Sequence, residues 1–453
     1  MKRFFAAAVS LLIATASAAV AQTFFALPAV DGTVESFAGH GDTLYIAGSF
    51  QHVGGQVRNG LAAIDLTDGS VTSWDPNATN GGSAATMINV VVSPDGATVY
   101  FCGTFDKVGA TSRDRLAAVS STGALQDLSA TFNDQVLAVR PLNGVVYVIG
   151  TFNTVNGTAR HGFAGLDTTS NSAGVLNSFD PGVAAFGSAN YRASTFSADG
   201  SKLYVAMGNS GISDFTDTDG NAATRRGFVS LRVSDGRATS LDLNPMDSGF
   251  GAGIFSVSVS GSTLYVGDSF DSLQGTPLQR LAAFNGEVLD PTFSNEPGTG
   301  PDGAVRSIST DETAVYIAGG FSNIGTTAVK GLAAMDPATG LPVSTWNPQL
   351  SVALGGTDTV VFVHEGKVFV GGNGLDGGAD LLGQHISYYG ALTAIPKKEV
   401  TPPVTVASAP AIKITGKAKV TARKSKLTVK GTATGDVTSV TYKVGSKSGT
   451  ASG

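Results

Sequence analysis

The sequence predicts an all-β fold: a seven-bladed β-propeller closed by an N-terminal strand, followed by a linker and a partial β-sandwich. Three observations carry that expectation. A unit of strand-like runs recurs seven times with its landmarks in one order, which is how propeller repeats appear in a sequence. Asp-Gly, Asn-Gly and Ser-Gly pairs punctuate those runs where tight hairpins need residues tolerant of positive φ. The last unit is one strand short, and the segment after the leader has the character of the missing strand.

Residues 1–21 read as a signal peptide, because Lys2 and Arg3 precede an Ala-rich apolar run ending in Ala19-Val20-Ala21 before Gln22. No later run approaches the ~20 consecutive apolar residues that cross a bilayer. The expected product is therefore a secreted chain, extracellular or at the cell surface, with no integral membrane segment after cleavage. The single cysteine, Cys102, allows no disulfide within the chain. Stability must come from packing, and Cys102 itself, in the apolar run VYFCG, reads as a buried inert thiol.

Residues 22–395 are assigned to the propeller. The leading aromatic of each unit falls at Tyr45, Tyr100, Tyr147, Tyr204, Tyr265, Tyr316 and Phe369, at intervals of 47 to 61 residues. Gly48, Gly103, Gly150, Gly319 and Gly372 follow three residues later, with Met207 and Asp268 as the two exceptions. A second landmark, the start of an LAAID-like run, recurs at Leu61, Leu116, Phe163, Phe228, Leu281, Leu332 and Leu392. A third, an aromatic or Leu ahead of a polar residue and Pro, stands at Trp74, Phe179, Leu243 and Trp346. Each unit reads as an inner run, the aromatic strand, the LAAID strand and an outer strand. Such a sheet has two apolar faces and buries them only by stacking on its neighbours. In the seventh unit Pro396 intervenes before an outer strand. Phe24 to Pro28, followed by Asp31-Gly32, resembles a repeat end and is expected to pair there, removing two exposed edges at once.

From about Val34 to Ile395, the succession Y-x-x-G-x-F, Gly-Gly, an Arg-containing turn and L-A-A resembles the delta-60 repeat β-propeller family. The resemblance implies a bacterial secreted or surface repeat protein and brings no catalytic residues with it. Kelch propellers also place Gly-Gly after a strand, but their Tyr and Trp spacing is absent.

Residues 396–410 form a Pro-rich linker, and residues 411–453 alternate like the opening strands of an immunoglobulin-like module, too few for the ~7 of a complete sandwich. The overall net charge of −6 hides an asymmetry: the tail from Lys397 contributes +9 and the leader +2, leaving −17 for the stretch between. An acidic body of that kind repels polyanions and makes nucleic acid an unsuitable partner.

Two constellations invite a site. Asp214, Asp217, Asp219 and Asn221, in an insertion of the fourth unit, carry the oxygen-rich spacing of a calcium loop, against the simpler reading of an acidic surface turn. Calcium is accordingly the one candidate cofactor. A cation also recurs before the LAAID strand, at Arg58, Arg113, Arg160, Arg225, Arg280 and Lys330. These six would form a ring able to bind carboxylates or sulfates, or would each pair with an acid of their own or the next unit. No nucleophile elbow, phosphate loop or zinc-protease motif is present. The functional expectation is a monomeric, non-catalytic scaffold for a protein or glycan. The alternatives are a polysaccharide-active enzyme with acids at the channel mouth and a passive envelope or matrix protein.

Overall fold

The computed structural model describes residues 23–169, 174–183, 191–208, 212–247, 253–293, 297–348, 359–372, 379–381, 384–386, 389–396, 439–444 and 447–452. The expected signal peptide, residues 397–410 of the linker and most of the tail lie outside them. The chain divides into two compact units, Met1–Pro396 and Lys397–Gly453. In the second, Ser439–Val444 pairs antiparallel with Lys447–Ser452; the remainder of the expected sandwich is outside the described residues. Among the described residues no helix is long and apolar enough to cross a membrane.

The first unit is all-β and propeller-like. Each sequence repeat folds into its own antiparallel sheet of three or four strands, beginning with Thr33–His40, Thr43–Ser49 and Leu61–Asp65. The first strands of the following sheets are Met87–Val92, Val136–Leu142, Tyr191–Phe196, Ser256–Ser260, Val305–Thr310 and Val360–His364. Each touches the next in that order, and Val360–His364 touches Thr33–His40 again. Small outer hairpins, such as His52–Val53 with Gln56–Val57, extend the sheets.

The landmarks are legible as packing. Every leading aromatic lies opposite a small residue of the third strand: Tyr45 opposite Ala63, Tyr147 opposite Gly165, Tyr204 opposite Ser230, Phe369 opposite Ala391. A small partner leaves the ring room to turn onto the outer segment, where it meets the third landmark edge-on, Tyr45 with Trp74 at 5.1 Å, Tyr147 with Phe179 at 4.9 Å and Tyr316 with Trp346 at 5.3 Å. Phe293 takes that role against Tyr265 at 5.2 Å, although no Pro-containing motif marks it. Apolar clusters then join neighbouring sheets. Tyr45, Ala63 and Trp74 pack with Val90 and Phe101 of the second sheet. Val34, Phe37 and Ile46 pack with Phe369, Tyr389 and Ala391 of the last.

The expected pairing of the N-terminal segment is present. Phe24 pairs with Leu392 and Phe25 with Ala391, so Phe24–Phe25 lies on the outer side of Tyr389–Thr393. The Thr23 amide donates to Thr393 Oγ1 at 2.9 Å, the Thr393 amide returns a bond to the Thr23 carbonyl at 3.0 Å, and the Tyr389 hydroxyl donates to the Pro28 carbonyl. A terminus tied by backbone bonds and two rings is protected from fraying.

Two landmark positions shift. Tyr45 pairs with Ala63, two residues after Leu61; Phe369 pairs with Ala391, so the seventh counterpart of Leu61 is Tyr389 and not Leu392. In the fourth unit Leu241, not Leu243, corresponds to Trp74, because Arg58 donates to the Thr72 carbonyl and Arg225 to the Thr239 carbonyl, each two residues ahead. Both errors come from matching residue types where the ladder is set by hydrogen bonding.

Candidate functional site

The six repeat cations separate into different seats. The backbone amides of Arg58, Arg113 and Arg160 each donate to a carbonyl seven residues earlier, at Gln51, Asp106 and Asn153. Their guanidiniums turn back onto their own outer segment. Arg58 Nη2 donates to the Thr72 carbonyl at 2.7 Å and lies 4.0 Å from Asp75; Arg160 lies 3.4 Å from Asp180; Arg225 donates to the Thr239 carbonyl at 2.8 Å and lies 3.9 Å from Asp242. Arg113 reaches the Gln126 carbonyl at 3.5 Å. In all four the Nε is buried without an acceptor, the mark of one repeated geometry. Arg58 is only 8% exposed.

Arg280 and Lys330 are not equivalents of these four. In the fifth sheet the amide bond to the carbonyl seven residues earlier comes from Leu278, and in the sixth from Val329. The Arg280 amide instead bonds the Phe270 carbonyl, as Gly60 bonds Phe50, and its side chain donates to the Pro301 carbonyl at 3.1 Å. Lys330 sits one residue before Gly331, whose carbonyl accepts from Gly319 as that of Gly60 accepts from Gly48. The expected ring of six is therefore corrected to four seats, each committed to its own sheet.

The acidic insertion is a hairpin of Ile212–Thr216 and Ala222–Arg226. Asp217 Oδ1 accepts the amides of Asp219 at 2.9 Å and Asn221 at 2.8 Å, and Asp214 accepts from Thr224 Oγ1 at 2.5 Å. The carboxylates serve the turn. Among the described residues no group of three or more His, Cys, Asp or Glu is arranged to hold a metal ion. Cys102 is fully buried, and burial pushes its thiol up to about 12.

A cavity of about 550 Å³ is lined by the first strand of every sheet. Those strands share an irregularity. The pairing register of five of them slips by one residue, between Val34 and Ser36, Met87 and Asn89, Val136 and Ala138, Tyr191 and Ala193, and Val305 and Ser307. The skipped residues, Glu35, Ile88, Leu137, Arg192 and Arg306, all line the cavity. A β-bulge leaves its extra residue out of the ladder and re-aims its side chain. The close turn of backbone also explains the repeat glycine: a Cβ on Gly48 would lie 2.0 Å from the Thr33 carbonyl oxygen, and on Gly150 2.0 Å from that of Gln135.

In the fifth sheet the paired ladder starts at Ser256 opposite Gly267, the pair that corresponds to Ser36 opposite Ala47, and Asp268 stands at the place of Gly48. Asp268 is fully buried, with the Ser269 hydroxyl and amide beside its carboxylate. Burial pushes its carboxyl up to about 7, against the pull of the Arg306 guanidinium, whose Nη1 lies 3.7 Å from Oδ1. Arg306 rests over the Phe255 ring, 4.1 Å from its centre, and Arg192 approaches the same ring at 4.9 Å. Three adjacent sheets thus bring two guanidiniums and one ring to the cavity, with a carboxylate behind them. Arg140, also in the lining, is held by the Asn89 side chain at 2.8 Å and the Ser194 carbonyl at 3.0 Å.

Sequence reasoning singled out Asp268 only as an exception to a glycine and missed Arg192, Phe255 and Arg306. Their signal was a charged or aromatic residue at a place where the second and third units carry Ile88 and Leu137, visible only once the slip is known.

No family model matches the chain, and no curated protein does. Among solved structures the chain is similar to the computationally designed Ika8 protein, at 12% identity over 82% of this chain and 93% of that one, with a TM-score of 0.42. A chain of the mitotic checkpoint complex matches at 9% identity over 87% and 99%, with a TM-score of 0.49. A catalytically inactive virginiamycin B lyase from Staphylococcus aureus with quinupristin matches at 11% identity over 83% and 98%, with a TM-score of 0.46. The fold assignment stands on strand pairing alone.

Proposed function

We propose that the chain is a secreted or cell-surface, non-catalytic binding scaffold built as a seven-bladed β-propeller of delta-60 type, and that its ligand enters the central cavity. One observation carries the reading: the residues freed from the ladders by the bulges converge on that cavity and depart from one another in chemistry, while the rim cations repeat and are consumed within their sheets. Repeats conserve what holds them together and diverge where they bind. The enzyme alternative has less support, since Glu35 is the one carboxylate among the described lining residues and hydrolysis of a glycosidic bond employs two.

The binding reading is tested by a thermal-shift screen of the chain from Gln22 against proteins and glycans, because a ligand of the folded state raises its melting temperature. The shift is expected to vanish in Leu137→Trp, which fills the cavity, and to persist in Arg113→Gln at the rim. A shift kept by Leu137→Trp and lost with Arg113→Gln would move the site to the rim. Closure is tested separately: deletion of Thr23 to Val30 is expected to lower the melting temperature by roughly 5–10 °C, and an unchanged curve would refute a ring closed by the N-terminus.

A further inference from the structure

We infer that the other mouth of the channel, away from the bulges, is a docking site for a basic peptide segment that carries an apolar side chain. This surface is separate from the cavity discussed above, and the inference goes beyond the binding reading given for that cavity.

The bulges stand at the starts of the first strands, and the turns leading into the second strands stand at their far ends. Because the first strands touch one another in a ring, these turns surround one mouth. They carry Asp42, Asp95, Asp199, Asp311, Glu312 and Glu365, and no lysine or arginine. The two lysines that open the strands after them are engaged, Lys202 with Glu287 at 2.9 Å and Lys367 over the Phe25 ring at 4.9 Å. Among the described residues no salt bridge takes up Asp42, Asp95, Asp199, Asp311 or Glu365. The Ser197 hydroxyl and Ser201 hold the Asp199 carboxyl down to about 2, and the Ser93 hydroxyl and Ala97 amide hold that of Asp95 below the usual range. Both are therefore charged at neutral pH.

Within this acidic rim lies an apolar groove. Its volume is about 380 Å³, and its walls are Val92 and Pro94 of the second sheet, Pro141 of the third, Phe196 and Ala198 of the fourth and Val259 of the fifth. Pro94 and Ala198 are exposed, and each is followed directly by a carboxylate, Asp95 and Asp199. Arg140, the cation of the lining, is committed to the Asn89 side chain at 2.8 Å, the Val139 carbonyl at 2.7 Å and the Ser194 carbonyl at 3.0 Å. Rim and groove select the partner together. An acidic segment is repelled by the rim. Among the described residues no three carboxylates meet as a metal ion requires, so the matching positive charge is spread along a chain. A purely polar cation would leave the groove wet, whereas an apolar side chain between lysines or arginines covers it and meets the carboxylates on either side.

The test is isothermal titration of the chain from Gln22 with a peptide of alternating lysine and leucine, beside its glutamate-leucine and lysine-serine counterparts. The lysine-leucine peptide is expected to bind, more weakly as salt is added, and the other two to bind at least tenfold more weakly. Ala198→Arg, which fills and charges the groove, is expected to weaken binding at least tenfold, as is Asp95→Asn combined with Asp199→Asn. Leu137→Trp in the cavity at the other mouth and Arg113→Gln are expected to bind as the unaltered chain does, and melting curves of all variants control for folding. Equal binding of the lysine-serine peptide, or binding unmoved by Ala198→Arg, overturns the inference. Binding lost in Leu137→Trp and kept in Ala198→Arg would sink it while favouring the cavity of the binding reading. Self-association in sedimentation that Ala198→Arg abolishes would give the groove to a second copy of the chain and overturn the peptide assignment.

Discussion

Two sets of arginines in this chain look alike in sequence and are put to opposite uses. At the rim, Arg58, Arg113, Arg160 and Arg225 recur in register, and each spends its donors on carbonyls of its own sheet. In the channel, Arg192 and Arg306 occupy positions filled elsewhere by Glu35, Ile88 and Leu137, and they face a cavity over a shared ring. A cation present in repeat after repeat is held by what the repeats share; Arg192 and Arg306 are held by what only their own sheets and the fifth supply, the Phe255 ring and, for Arg306, Asp268.

The sharpest way to break that comparison is to exchange the residues beneath it. Gly48→Asp would force a Cβ to within 2.0 Å of a backbone oxygen and is expected to abolish folding or cost more than about 3 kcal/mol by denaturant unfolding. Asp268→Gly, the reverse exchange at the equivalent place of the fifth sheet, is expected to leave a folded chain. Equal damage from both would show that the bulge does not govern the position.

A smaller effect is expected at the rim. Arg58→Ala leaves the part-buried Thr72 carbonyl without this donor and is expected to cost about 1–3 kcal/mol of stability. Arg306→Ala, whose loss removes a partner of a carboxylate that can take up a proton, is expected to cost less at pH 5 than at pH 8. If Arg58→Ala were neutral, the rim arginines would not be structural.

The smallest effect is a pH dependence. Asp268 has its carboxyl raised to about 7 in the folded chain, above the unfolded value near 3.9. Between those values the folded state holds the extra proton, so this group's contribution to stability falls as pH rises from about 4 to about 7 and stays low above. Asp268→Asn is therefore expected to raise the melting temperature at pH 8 more than at pH 4. An equal change at both pH values would mean that Asp268 ionises normally.

Much of the fold was legible because a repeat states its rule many times. Tyr45, Tyr147 and Tyr316 announced the strands, and Trp74, Phe179 and Trp346 the segments their rings would meet. Phe24 and Phe25 were legible as the absent strand by subtraction. Less was legible where spacing drifted: Leu392 stood in for Tyr389, and Arg280 and Lys330 were grouped with Arg58 although Leu278 and Val329 hold its place. A residue type can recur two positions out of phase and still look periodic, whereas a hydrogen-bonded ladder cannot slip without turning side chains to the other face.

The strand-rich class, the length of the unit and the tie between terminus and last sheet could be read from residue order, since these depend on residues near in the chain or on a pattern repeated many times. Which cations are held within their own sheets and which line the cavity was set by packing in three dimensions. That choice depends on one-residue slips in the first strands, and on Arg192, Phe255, Asp268 and Arg306 being brought together from three different sheets, neither of which any local pattern encodes.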